Sequence, residues 1–131
     1  MAWQTPIYDR AQSDIDNKTK KGYLNVEDLN RIEGNISYVA SLMGITVTTK
    51  SWSKTTLPVS SDFQRITNNI DTLKKEITFT TYQECPELPI NHYEKVNLIE
   101  ALIEAIEGDY MLVLGATVFS GEGSYAGDNL V

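Results

Sequence analysis

Cysteine and histidine each occur once in this chain, as Cys85 and His92. One cysteine excludes an internal disulfide. Cys85 lies in the stretch ECPELP, whose prolines predict an extended loop and an inert small side chain there. A lone histidine excludes zinc sites built on several imidazoles, and the placing of His92 at a helix start predicts an exposed role. Positive charge is also scarce: Lys and Arg total 11 against 18 Asp and Glu, for a net charge of −7. Sequence-blind nucleic-acid binding needs a basic footprint, so no nucleic-acid partner is expected. No apolar run approaches the roughly 18 residues needed to span a bilayer, which argues against membrane insertion. The opening MAWQTPIYDR lacks the layout of a signal peptide, so the expectation is synthesis and retention in a cytoplasm.

Apolar residues are not scarce. They make up 41% of the 131 residues, with 22% charged, the balance of one folded domain. Asp9 followed by Gln12 has capping-box spacing and predicts a short polar helix over 10–19, stopped near Gly22. Asn25 with Asp28, flanked by the staple pair Leu24 and Leu29, starts a second helix. Its seam of Leu29, Ile32, Ile36, Val39 and Met43 alternates steps of three and four, and Gly44 is placed to end it. Gly34 inside that helix costs about 1 kcal/mol against alanine, which points to another backbone approaching there.

Ser61 with Gln64, then Phe63, Ile66, Ile70, Leu73 and Ile77, predict a third helix over 62–77. A fourth begins at Asn91 with Glu94 and carries Val96, Ile99, Ile103, Ile106 and Tyr110, with fraying expected at Gly108. The β-branched ITVTTKSW predicts a β segment over 45–52, and the prolines of TFTTYQECPELPIN an extended run across the bundle surface. The apolar run 110–120 reads as a strand followed by a flexible end. The expected fold is therefore mainly α: a helical bundle of three longer helices with seam spacing, a short N-terminal helix, and β segments near 45–52 and 110–120. One domain, 1–131, divides into an attachment segment (1–24), the bundle (25–109) and a strand with tail (110–131).

The seams overlay at steps of 34 and 33 residues, where L-N-R-I-E, F-Q-R-I-T and V-N-L-I-E align from Leu29, Phe63 and Val96. The connecting segments share no sequence, and a solenoid repeat generally supplies a helix pair. Ordinary helix arithmetic is the expected explanation. The seams would meet either inside one chain or between chains about an axis.

Candidate chemistry is thin. Glu100 and Glu104 stand four apart on one helix face, an acid-base or metal-ligand spacing, but Glu107 and Asp109 nearby favour a solvated acidic face. Asp14-Ile15-Asp16 begins like a calcium loop, yet Lys18 and Thr19 occupy positions that need a ligand and a glycine. The glycines at 121, 123 and 127 lack the dinucleotide spacing. No catalytic residue, metal or cofactor is expected, and the chain reads as a non-enzyme.

Several phrases in succession, WQTPIYDR from Trp3, LNVEDLNRIEGNI from Leu24, Trp52 with Leu57-Pro58, SDFQRITNNIDTL from Ser61, YEKVNLI from Tyr93 and Ser120-Gly121-Glu122, carry a resemblance. The sequence resembles tail-associated structural proteins, at the fibre or baseplate, of phages, prophages and phage-tail-like bacteriocins of Gram-positive bacteria. That resemblance implies a virion structural protein without catalytic residues, an attachment or adaptor component, forming a homotrimer or a complex with neighbouring tail proteins. A receptor-contacting tip protein and a non-virion assembly chaperone or regulator are the rival readings. Candidate interface residues are Trp3, Tyr8, Gly34 and Trp52 in the first half of the chain. In the second they are Leu112, Leu114, Val118, Phe119 and Tyr125.

Overall fold

A computed structural model describes residues 3–121, with side-chain surroundings through residue 114. The elements in order are α1 (Gln12–Asp16), a 3₁₀ turn (Lys20–Gly22), α2 (Val26–Met43), α3 (Ser60–Lys74) and α4 (Tyr93–Gly121). The fold is mainly α: three longer helices and a short N-terminal one packed together, with no strand among the described residues.

Local chemistry sets the helix ends. The Asp28 N–H donates to the Asn25 side chain over 3.0 Å while Asp28 accepts from the Asn25 N–H over 3.1 Å, the reciprocal box expected from the sequence. Gly44 closes α2 at φ 74°, a left-handed conformation in which a side chain would be strained. α3 starts before Ser61. Val59 holds the cap position, and Asp62 reaches back to its N–H over 2.9 Å. α3 stops at Lys74, yet Ile77 beyond it remains 4% exposed. In α1 the carboxylate that turns back is Asp14, onto the Ala11 N–H, and Asp9 caps nothing. A Cβ on Gly22 would lie 2.9 Å from the Asp14 carbonyl carbon, so only glycine lets the 3₁₀ turn close on α1.

All three long helices run in the same direction. After Gly44 the chain passes Thr48, whose carbonyl accepts from Asn69, then Lys50 beside Asp62, then Trp52 against Asn30. It thus descends α2 while α3 ascends. Residues 75–92 do the same between the next pair: Gln83 meets Lys74 and Cys85 meets Thr67 on α3, while Tyr82 meets Asp109 and Glu87 meets Lys95 on α4. Parallel neighbours need crossovers as long as the bundle. α2 is about 27 Å long, and residues 45–59 can reach about 50 Å when extended.

The seams meet inside one chain. Ile32, Ile36 and Val39 of α2, Ile66, Ile70 and Leu73 of α3, and Ile99, Ile103 and Ile106 of α4 form one buried core. At about 25 cal/mol per Å² of apolar surface removed from water, this contact supplies most of the drive to fold.

Both β expectations are corrected. Residues 45–52 are extended, with Ile45 and Val47 packed on the core, but Thr48 and Trp52 bond to asparagine side chains, so no ladder forms. At 110–120 the chain is helix: α4 runs unbroken through Gly108 to Gly121. Once the packed turns from Val96 to Ile106 exist, each added residue gains a helix bond without new nucleation, whereas a lone strand leaves its backbone unpaired. Among the described residues no helix is long and apolar enough to cross a membrane.

The seam recurrence has a counterpart in the placing of the helices. Val26, Ser60 and Tyr93 start their helices at steps of 34 and 33 residues, the steps of the sequence overlay. Each helix contacts the other two. Ahead of each lies an extended segment in a groove of the triangle. Residues 3–11 lie between α2 and α4, bonding Gln4 to Asn35 and Arg10 to Asn97. Residues 45–59 lie between α2 and α3, and residues 75–92 between α3 and α4. Three units of segment plus helix close about one axis, which a solenoid comparison overlooks.

Candidate functional site

The densest polar constellation joins the N-terminal segment to α2 and α4. Glu100 Oε1 accepts from the Ile7 N–H at 3.1 Å and from Arg31 Nε at 2.7 Å. Its Oε2 accepts from Arg10 at 2.8 Å and Arg31 at 2.6 Å. Asp28 Oδ1 accepts from the same two arginines, at 3.1 and 2.6 Å. Asn97 grips the Arg10 backbone on both sides, accepting from its N–H and donating to its carbonyl. Two cations and two anions cancel in a site where Arg10 is 4% and Glu100 1% exposed. Burial alone would lower the Arg31 pKa, but the hydrogen bonds and charges of Glu100 and Asp28 outweigh it and hold the guanidinium charged.

Every carboxylate oxygen in this quartet already accepts at least one bond, so it offers no free base to a substrate. Its chemistry is that of a clamp. Arg10 Nε is the one buried side-chain polar atom without a partner among the described residues. Leaving such a donor unpaired costs about 1–3 kcal/mol.

A second cluster repeats the arrangement one unit over. Arg65 of α3 grips Glu33 of α2 with two bonds, at 2.5 and 2.8 Å, and Trp52 Nε1 donates to Glu33 Oε2 at 2.9 Å. Lys50 stands over the Trp52 ring at 4.3 Å and reaches Asp62 at 3.4 Å. The Glu33 hydrogen bonds raise the Arg65 pKa against the effect of burial. At equivalent stations Asp28 and Asp62 cap, Arg31 and Arg65 reach across, and Glu100 and Glu33 receive. In α4 those stations hold Lys95 and Leu98, so the third contact is apolar.

The sequence-predicted residues divide. Trp52 is 6% exposed, its indole bonded to Glu33 of its own chain. Trp3 packs on the core with its ring 5.9 Å from that of Tyr38. Gly34 is half-buried between buried Glu33 and Asn35. Tyr8 is 47% exposed, and a hydrogen bond to Glu104 raises its pKa. Leu112 is 70% exposed and Leu114 half-buried on α4, whose backbone continues through Val118 and Phe119. Tyr125 lies outside the described residues. Glu100 is not part of a solvated acidic face; it lies at the centre of the clamp.

Among the described residues no group of three or more His, Cys, Asp or Glu side chains is gathered as a metal site. His92 takes the cap of α4, its Nδ1 accepting from the Glu94 N–H at 3.2 Å. Burial pushes the half-buried Cys85 thiol up to about 12, with Lys74 opposing and Asp71 adding to the shift.

Fold and clamps together define a class: a parallel three-helix bundle closed by its own crossover segments, with two ionic clusters buried between its helices. Compared with known protein families, curated proteins and solved structures, the chain matches none.

Proposed function

We propose that this chain is a structural adaptor of a phage tail or phage-tail-like particle, joining neighbouring proteins at the baseplate or fibre attachment. The observation that carries the reading is where exposed apolar surface lies. Leu57 is 81% and Val59 58% exposed at the base of the bundle, while Phe79 is 62% and Leu112 70% exposed at the top. The buried carboxylates are saturated by internal clamps, as suits a rigid spacer. The succession of phrases from WQTPIYDR to Ser120-Gly121-Glu122 supports the same reading.

The seams are filled within the chain, so a homotrimer would have to form through the ends. The location is then the virion or tail-like particle, with neighbouring tail proteins as partners, no nucleic acid and no cofactor. Mass spectrometry of purified particles tests it. Presence in stoichiometric amount supports the adaptor; absence from particles, with abundance in infected cells, would replace it by an assembly chaperone or regulator.

A further inference from the structure

Of the three extended segments that fill the grooves of the bundle, two are crossovers fixed at both ends, 45–59 by α2 and α3 and 75–92 by α3 and α4. Residues 3–11 are joined to the long helices at one end only, through α1 and the 3₁₀ turn. That linkage holds weakly to the rest of the molecule. α1 has no buried residue, and the Asp14 side chain bonds to Ala11 and Thr19 within the same stretch. Lys18 in its middle stands at φ 55°, the left-handed region in which a side chain is strained. Asp9 pairs with Lys21 of the linkage at 2.8 Å, but the pair is exposed, and such pairs contribute little. The groove grips the segment itself far more closely. Pro6 and Arg10 are buried, and Gln4, Ile7 and Arg10 bond to Asn35, Glu100, Asp28 and Asn97 of α2 and α4.

We propose that residues 3–11 are exchanged between two copies of this chain, each copy seating its segment in the α2–α4 groove of the other. The occupant of the groove is defined by the segment already seated there: every bond it makes to α2 and α4 is made equally by the same residues of a second copy. The groove is costly to leave empty. With the segment gone, Asp28, Arg31 and Glu100 keep only one another, and the side chains of Asn35 and Asn97 lose their backbone partners. An identical segment restores all of these contacts, so protein concentration and the strained Lys18 decide between the closed and the exchanged form. Reach permits the exchange. Residues 12–25 span about 46 Å when extended, against about 27 Å for α2. Arg10 lies by Asp28 and Asn97 near the starts of α2 and α4, so both linkages emerge at the base and the two bundles meet base to base about a twofold axis. Exchange of this kind does not depend on the adaptor role.

The test incubates a concentrated mixture of two variants, Tyr8→Cys and Glu104→Cys, each also carrying Cys85→Ser, and treats it with a short bismaleimide. Tyr8 faces Glu104 across the groove. A diluted double variant, Tyr8→Cys with Glu104→Cys, should close within one chain and so establish that the two positions can be bridged. The expected result for the mixture is a link between position 8 of one copy and position 104 of another, found by mass spectrometry in a species of two chains. The linked fraction should grow with protein concentration and match a dimer in light scattering. Lys18→Val, a β-branched side chain that the left-handed region tolerates worst, should raise that fraction roughly threefold or more. No link between positions 8 and 104 in the mixture, where the double variant closes, or a dimer that carries none, would overturn the exchange and leave the adaptor standing. A linked fraction that falls in Lys18→Val would overturn it as well.

Discussion

Arg65 stands to Glu33 as Arg31 stands to Glu100: each arginine crosses to the neighbouring helix and grips both oxygens of a buried glutamate. Two of the three helix interfaces are thus fixed in register by the same bidentate pair. Removing one member strands an unpaired buried charge, the costly case, although the pair itself adds little over a good apolar contact.

Glu100→Ala should therefore cost about 3–5 kcal/mol, because Arg10 and Arg31 are left facing one carboxylate. Arg65→Ala should cost less, since the Glu33 it leaves behind keeps its Trp52 donor, whereas two arginines lose Glu100. Urea unfolding of both variants checks the order, and equal midpoints would make the two clamps equivalent in stability.

The residues of these clamps were visible in the sequence before their role was. The aligned quintets from Leu29 and Val96 already held Asn30 with Asn97 and Glu33 with Glu100, and those from Leu29 and Phe63 held Arg31 with Arg65. Helix seams and caps could be read because they depend on neighbours three or four residues away. The partner of Glu100 is Arg31, at a separation of 69 residues, and no local pattern reports it. Likewise 110–120 reads as β by propensity, and the packed turns before it override that preference. The extended segments defeat sequence overlay because backbone groups make most of their contacts to the helices.

Trp52→Phe should leave the fold intact at a cost of about 1–3 kcal/mol, since Glu33 loses its indole donor but keeps Arg65. In the wild type the buried Trp52 should resist fluorescence quenching by acrylamide. Quenching of Trp52 at the rate of a free indole, read in a Trp3→Phe background, would contradict its burial.

Asp62 gives the acid limb of stability a defined origin. The Val59 N–H lowers its pKa most, against a smaller effect of burial, with Lys50 and Arg65 adding to the lowering. The folded value lies below the unfolded one, so its contribution is present above about pH 3.9 and is lost as pH falls through the folded value. Asp62→Asn should flatten the fall in midpoint below pH 4. An unchanged slope would assign the acid limb to other carboxylates.

Cys85 should be slow toward thiol reagents at neutral pH, because burial pushes the thiol up to about 12 and little thiolate is present. Labelling with a maleimide in buffer and in denaturant measures this directly. Equal rates would mean that residues 75–92 open freely from the groove.

Gly108 offers a test of the continuous α4. A Cβ placed there meets nothing within 4 Å, and the backbone is helical on both sides. Glycine in a helix interior costs about 0.8–1.0 kcal/mol relative to alanine, so Gly108→Ala should stabilise the chain by a large part of that amount. The sign is what matters. A frayed end or the start of a strand at this position would gain nothing from alanine, so a higher midpoint in thermal unfolding followed at 222 nm supports the single long helix. No change, or a loss, would return residues 110–120 to a separate element.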